Sequence, residues 1–391
     1  MPVRNSIAAM EADLTEWRRH LHSYPELAFN ELHTSAFVAE RLAEWGVEIH
    51  RGLAKTGVVG VLRGQGGDGP TIGLRADMDA LPIVEETGLP HASTREGVMH
   101  ACGHDGHTTM LLGAARHLAE NPDFKGTICF IFQPAEENGG GANVMIEDGL
   151  FDQFPMESVW GLHNSPHYPF GMLAWRPGPA MAAVDDFDIV IHGKGGHAAR
   201  PHTAVDPIGI GCELHHQLET LIRRRIETHA EAVITVTQFQ AGDAYNVIPS
   251  SATLRGTIRS YDDALVARVR DAIGSVCRGV EAMTGARVEL TLHTGYPPLV
   301  NDPASTAIAA EVATRVADDG KTFPDAPAVM GAEDFAFMLQ KKPGAYIWMG
   351  TAEEGADTAQ LHHPSFDFND RALTLGTEYW VSLAERLLGN R

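Results

Sequence analysis

Cysteine is scarce. Cys102, Cys129, Cys212 and Cys277 are spread over 391 positions with no pairing rhythm, which favours a reducing compartment over a disulfide framework. Long apolar runs are missing, so no segment is read as crossing a bilayer. The first residues lack the apolar centre of a signal peptide. Instead Ile7, Met10, Leu14, Trp17 and Leu21 recur at helical spacing with charges between them. Positive charge is short: 30 Lys and Arg stand against 51 Asp and Glu, a formal net charge of −21. That excess argues against nucleic acid and against anionic membrane surfaces as partners, while leaving room for a small anionic substrate at a locally positive site. Repeats and low-complexity tracts are absent. The glycines between Gly64 and Gly69 are followed by no Lys-Ser or Lys-Thr, so they form a tight turn between strands and not a phosphate loop. A cytoplasmic protein is expected.

What is present suits a large core: 44% of residues are hydrophobic and 21% charged, and the length argues for two domains. After the first helix, His22 to Glu26 turns into a second helix that runs to Trp45 and ends at Gly46. Apolar strand-like runs follow. Val58 to Leu62 is one, and Thr71 to Asp79 is another that closes in two aspartates. Thr127 to Phe132 leads into Gln133-Pro134-Ala135-Glu136-Glu137, and Ser158 to His163 ends in a histidine. Three strands thus end in Asp, Glu and His, as in open α/β sheets that collect functional groups at strand carboxyl ends. Near residue 184 the texture changes to alternating strands (Asp186 to His192, Val233 to Phe239, Ala252 to Arg259, Val288 to Thr294) with helices at Asp206 to Arg224 and Leu265 to Met283. That β-α-β-β-α-β order is the ferredoxin-like unit. From about residue 300 the α/β texture returns, with a helix over 303–317, a strand from Ala345 to Met349 and a helix over 371–388. The expected fold is α/β. Residues 1–183 and 299–391 form a discontinuous catalytic domain with a central mixed sheet, and residues 184–298 form an inserted ferredoxin-like α+β domain.

Chemistry concentrates at His100-Ala-Cys-Gly-His-Asp-Gly-His107, with three His, one Cys and one Asp in eight positions. Its glycines keep the start open, and a helix is read from Leu111 and Leu112 onward. Cys102 and His104 are both good donors for zinc-like cations; the plainer reading is a polar loop with Asp105 capping that helix. Glu136 and Glu137 follow a buried-looking strand. On an extended strand their side chains point apart, so one can bind a metal while the other faces a water; the plainer reading is a solvated acidic turn. His163, His362-His363, Asp79 and Glu333-Asp334 each have a structural alternative: a strand-end histidine, bystander histidines, a turn cap and a helix cap before Phe335.

The motifs Arg75 to Pro82, His100 to Leu112, Gln133 to Glu137, Gly161 to Asn164, Gly193 to His202, Asn246 to Pro249 and Leu361 to Phe368 appear in order over nearly the whole chain. Together they resemble the aminoacylase and carboxypeptidase class of dinuclear metallohydrolases, and within it the branch holding hippurate hydrolase, indole-acetyl-amino acid hydrolases and N-acyl-L-amino acid amidohydrolases. Only His363 varies, where Asn is frequent. The resemblance implies two divalent ions, manganese or zinc, with cobalt and nickel as further fits. Cys102 would bridge them, His104 and His163 completing one ligand set and Glu137 and His362 the other. Glu136 would be the general base acting on a metal-bound water, with Asp79 orienting a ligand. His197 would contact the developing oxyanion from a neighbouring subunit. Asn246 and Arg259 would hold the substrate carboxylate, for which the guanidinium fork suits; the plain alternatives are a turn histidine and an edge-strand arginine in a surface ion pair. The inserted domain would serve dimerisation and act as a lid, giving a homodimer with a dimer of dimers beyond it. The implied reaction is hydrolysis of small N-acyl amino acids to a carboxylate and a free amino acid. Rivals are a dipeptidase or N-carbamoyl amide hydrolase on the same scaffold, a Cys102 nucleophile paired with His104, and a metal-binding protein without catalysis.

Overall fold

The computed structural model describes residues 3–317, 320–353, 355 and 358–389, so the two chain ends assigned to the larger domain, residues 1 and 391, lie outside the described residues. The chain divides into two compact units, one of Met1–Gly178, Val300–Pro327 and Asp334–Arg391 and one of Pro179–Leu299 and Ala328–Glu333. The short return piece 328–333 joins the second unit because its backbone is bonded there: Val329 donates to the Ala180 carbonyl, and Ala182 donates to the carbonyls of Val329 and Gly331.

The larger unit is built on an eight-stranded mixed sheet in the order Glu48–Arg51, Val58–Arg63, Thr127–Gln133, Thr71–Asp77, Ser158–Pro169, Gly344–Ala352, Leu173–Ala174, Thr322–Phe323. The four strands from Thr127–Gln133 to Gly344–Ala352 run parallel, and they are almost wholly buried. Near-continuous apolar runs are what a parallel sheet covered on both faces requires. The short strands Glu48–Arg51, Leu173–Ala174 and Thr322–Phe323 escaped the sequence reading, being too brief to show a period. Helix His104–Glu120 packs on Glu11–Ser23 and Ala372–Leu388, and Ala372–Leu388 in turn on Pro303–Val316.

Register sets the site. Thr71–Asp77 pairs with Thr127–Gln133 to its last residue, Asp77 opposite Gln133. Against Ser158–Pro169 it pairs only from Ile72/Ser158 to Arg75/Gly161. Beyond that point the pairing stops, and ligands in such sheets bind where strands part at their carboxyl ends. His163 was expected to end its strand. It lies inside it, because pairing with Gly344–Ala352 carries on through Met349/Asn164 and Gly350/Ser165 to Pro169.

The smaller unit has the expected order of elements. Its antiparallel sheet runs Ala232–Gln240, Ser251–Ser260, Ala183–His192, Arg287–Thr294. Helices Pro207–Arg225 and Asp263–Thr284 start at Asp206 and Asp262, whose carboxylates accept from the first-turn N–H groups. Phe187, Ile189 and Ile191 pack with Leu214, Leu218, Val269 and Ile273 to form a core of its own. Arg259 lies on an inner strand, paired on one side with Val233 and on the other with Val184, so the edge-strand alternative does not hold.

Candidate metal centre

Helix His104–Glu120 starts seven residues earlier than the sequence suggested, and both glycines expected to keep the start open have steric reasons. Gly103 is the N-cap at φ +94°, and a Cβ there would come 2.4 Å from Asn164 Oδ1. Gly106 sits inside the first turn, where a Cβ would meet the Phe368 ring at 2.4 Å. The early start puts His104 and His107 three residues apart on one helix face and turns Asp105 away from them. Asp105 therefore bonds His22 Nδ1 at 2.8 Å, besides accepting from the Gly106 N–H.

His104 is fully buried. Its Nδ1 lies 3.2 Å from Asp79 Oδ1, while Asp79 Oδ2 accepts from the Glu137 N–H at 3.0 Å. One carboxylate thus orients a ring and a backbone together. Burial alone would lower the His104 pKa, but Asp77, Asp79 and Glu137 raise it to about 10. Among the described residues its buried Nε2 has no hydrogen-bond partner, and Glu137 Oε1 lies 3.9 Å from it. Cys102 Sγ is 3.5 Å from His163 Nε2, and His163 Nδ1 donates to its neighbour's carbonyl, Asn164 O, at 2.6 Å. His362, at φ +64°, is tied by its N–H to Ala101 O at 2.7 Å. Its Nε2 stands 3.2 Å from Glu137 Oε1.

Ligand atoms of Cys102, His104 and His163 lie within 4.8 Å of one another, as do those of Cys102, Glu137 and His362, and those of His104, Glu136 and Glu137. All five expected ligand residues and Glu136 are therefore brought together, with Cys102 common to two groups. The two glutamates converge instead of pointing apart. The strand ends at Gln133, and Ala135 at φ +57° turns the chain so that both carboxylates come near His104.

The donor set fits divalent cations. The carboxylates that hold a proton on His104 supply the field a cation would satisfy, and an imidazole held at Nδ1 by a carboxylate with Nε2 open is the usual metal-binding arrangement. Burial, and then Glu137, Glu136 and Asp77, push the Cys102 thiol well above its ordinary value. A nucleophilic cysteine needs the opposite shift, which weighs against the covalent reading; a coordinated thiol is deprotonated outright. Burial likewise takes His163 well below its ordinary value, with His107 adding to it, leaving a neutral ring suited to coordination.

Of the residues that hold this arrangement, the sequence reading singled out Asp334 as support for the site but gave no role to Asp77, Arg75, His107 or Asn164. Asp77 bonds His107 Nδ1 at 2.6 Å, and the Asn164 N–H donates to His107 Nε2 at 3.1 Å. Burial would raise the Asp77 pKa, but His104, His107 and Arg75 hold it well below the carboxylate range. Buried Arg75 joins Asp77 at 2.7 Å, Gln133 at 2.8 Å and Asp334 at 3.1 Å. Asp334 also accepts from the Ala142 N–H, so its carboxylate serves this network, and the N-cap of the helix Ala336–Lys341 is Phe335. The available signals were Asp77 two residues before Asp79, hence on the same strand face, and His107 three after His104.

The remaining candidates lie in the smaller unit. His197 pairs in register with Val247, and the Ala198 N–H donates to Asn246 O at 3.0 Å, which sets His197 and Asn246 side by side on the surface. Arg259 is half-buried, its Nε donating to Thr257 Oγ1 at 3.2 Å.

Residues 73–386 match the model of peptidase family M20/M25/M40. The chain is 41% identical over 384 residues to an N-acetyl-L-cysteine deacetylase of Bacillus subtilis (strain 168), covering 98% of this chain and 90% of that protein. It is 37% identical to the hippurate hydrolase of Campylobacter jejuni, covering 98% of each. Among solved structures, the Bacillus subtilis YXEP protein, a dinuclear metal-binding peptidase of the M20 family, superposes with a TM-score of 0.84 at 37% identity, covering 98% of this chain and 100% of that one.

Proposed function

The chain belongs to peptidase family M20/M25/M40, and from that premise we propose that it hydrolyses the amide bond of N-acyl amino acids to a carboxylic acid and a free amino acid. The observation that carries this reading is the pair of ligand groups sharing Cys102, with Glu136 beside them. In the proposal Cys102, His104 and His163 would hold one divalent ion, and Cys102, Glu137 and His362 a second. Such ions, when bound, polarise an amide carbonyl and acidify water.

The chain's own residues do the rest. Glu136, buried beside His104 and Glu137, takes the proton of the attacking water and returns it to the leaving amine. Asp79 keeps the His104 ring and the Glu137 backbone in place. Arg259 and Asn246 bind the free carboxylate, and His197 reaches the oxyanion from a second copy of the chain, so the proposed working unit is a homodimer. The relatives named above are a deacetylase and a hydrolase of benzoyl-glycine by name, which supports an acyl-amide substrate.

The test is a turnover panel of hippurate, N-acetyl amino acids, indole-acetyl conjugates, dipeptides and N-carbamoyl amino acids, run after exhaustive chelation and after adding back Mn²⁺ or Zn²⁺. Hydrolysis of the acyl substrates should vanish on chelation and return with metal. Full activity in verified metal-free protein, or turnover confined to the dipeptides or the carbamoyl compounds, would overturn the reading.

A further inference from the structure

The turn that carries Glu136 and Glu137 is held at both ends by buried carboxylates, and one of them comes from far outside the residues matched to the family. Asp79 takes the Glu137 N–H. Glu31, the residue before helix Leu32–Glu44, takes the Ala135 N–H on its Oε1 at 2.9 Å and the Thr56 hydroxyl on its Oε2 at 2.6 Å. Glu31 is 0% exposed. Its segment is fastened beside Asp79: Leu27 bridges to Ala80, and the Ala80 N–H donates to Glu26 O at 2.8 Å. Phe29 closes over the far side of the turn, where a Cβ on Gly139 would lie 2.5 Å from its ring.

Ala135 is the reason such a clamp is needed. It occupies the left-handed region at φ +57°, which an L-residue other than Gly avoids without support. Its carbonyl accepts from the Gly141 N–H at 3.0 Å, and its N–H is the group that Glu31 holds. Burying a carboxylate to satisfy one amide and one hydroxyl is costly. Burial raises Glu31 to about 7, with Asp79 adding to the rise against the hydrogen bonds of Thr56 and Ala135.

We propose that Glu31 is a positioning residue: it holds Ala135 in its left-handed conformation and so fixes the directions in which Glu136 and Glu137 leave the turn. This rests on the base and ligand roles proposed above for those two glutamates. The N-terminal segment is thereby part of the site's geometry, although residues 1–72 precede the matched stretch.

The experiment compares Glu31→Ala, Glu31→Gln, and Glu31→Ala combined with Ala135→Gly in the full chain. Three quantities are read: melting temperature, Zn²⁺ affinity of the metal-free protein by competition with a chromophoric chelator, and kcat and KM on the best substrate with saturating Mn²⁺. Glu31→Ala should lower kcat and Zn²⁺ affinity each by about 10–100-fold, the range for residues that support metal ligands, with KM nearly unchanged. Glu31→Gln keeps an oxygen for the Ala135 N–H and should retain most of both. The added Ala135→Gly should recover melting temperature, since Gly accepts this backbone freely, without recovering kcat, because it permits the turn without directing it. If Glu31→Ala does not fold, the double variant replaces it in the same readouts. A folded Glu31→Ala protein, or the folded double variant in its place, with kcat and Zn²⁺ affinity both near wild type overturns the proposal, as does a Gln variant damaged as much as the Ala one. Should the wild-type chain hydrolyse nothing on the panel, the function reading fails, while Zn²⁺ affinity still decides the role of Glu31.

Discussion

His104 and His197 are both proposed to act on the same reaction, and their surroundings could hardly differ more. His104 is fully buried, with carboxylates around it and Asp79 on its Nδ1. His197 is exposed, and its Nδ1 accepts from the Ala199 N–H two residues on. The same contrast separates Glu136, 7% exposed, from exposed Asn246. Where partners are buried and mutual, geometry exists before any ligand arrives, and such preorganisation is what lowers a barrier. Where side chains stand in solvent on local turns, ordering has to come from what binds, which subtracts from affinity. The larger unit is therefore expected to govern kcat, and Arg259 and Asn246 of the smaller unit KM.

The sharpest way to break this contrast is at Glu136. Glu136→Gln should lower kcat by roughly 10²–10⁴, the usual worth of a general base, with KM little changed and two metal ions retained by elemental analysis. Loss of metal from this variant would mean that Glu136 is a ligand and that its role and Glu137's are exchanged.

The smaller unit should answer differently. Removing one charge-assisted hydrogen bond costs about 1.5–3 kcal/mol, so Arg259→Met should lower kcat/KM on free-acid substrates by roughly 10- to 100-fold, mainly through KM. The same substitution should change rates on the corresponding amidated substrates little, because their carboxylate is already gone. Burial draws the Arg259 pKa down and Asp186 counters it, so a half-buried cation facing one acidic neighbour has capacity for an anion. Equal losses on acid and amide substrates would show that Arg259 acts through packing.

The two regions were also unequally legible in the sequence. In the smaller unit, period and turn chemistry gave every strand of the sheet and both helices, since alternation survives wherever one sheet face stays wet. In the larger unit the sequence placed Asp, Glu and His toward the carboxyl ends of three strands, and so showed which residues gather, although His163 lies inside its strand. It did not show how they are held. Gly103 and Gly106 read as an open start because their reason is contact with Asn164 and Phe368, more than fifty positions away. Ala135 carries no mark of a left-handed turn; Glu31 and Gly141, which fix it, are 104 and six residues distant. The pins at His107, Asn164 and Asp334 are likewise long-range pairings, invisible to periodicity. Residue types announce a chemistry, while the positions of the groups that orient them depend on the finished fold.

A buried network that sets geometry by charge should also have a pH window that an exposed one lacks. Behind the metal centre, His22 lies between Asp105 Oδ2 at 2.8 Å and Glu85 Oε1 at 3.4 Å, with Arg18 3.8 Å from Asp105. Burial would lower the His22 pKa, but bonds to Asp105 and Glu85 raise it to about 9. Burial works against the carboxylates too, yet bonds to His22 take Glu85 to about 2 and hold Asp105 well below its usual range. The folded chain thus binds the His22 proton more tightly than the unfolded chain, whose histidine titrates near about 6.5. That stabilisation is complete below about pH 6.5 and fades as pH rises through about 9. The two carboxylates act in the opposite sense, contributing above about pH 4 and losing their effect in acid. Unfolding by denaturant should be followed in metal-free wild-type and His22→Gln proteins from pH 5.5 to 9.5, metal-free because ions would compete for nearby carboxylates. The stability gap between them should shrink with rising pH, by about 3 kcal/mol at most. His197→Gln, at an exposed site, should run parallel to wild type within about 0.5 kcal/mol. A His22 gap that stays constant across the window would mean that packing, and not charge, joins the helix Glu11–Ser23 to Asp105.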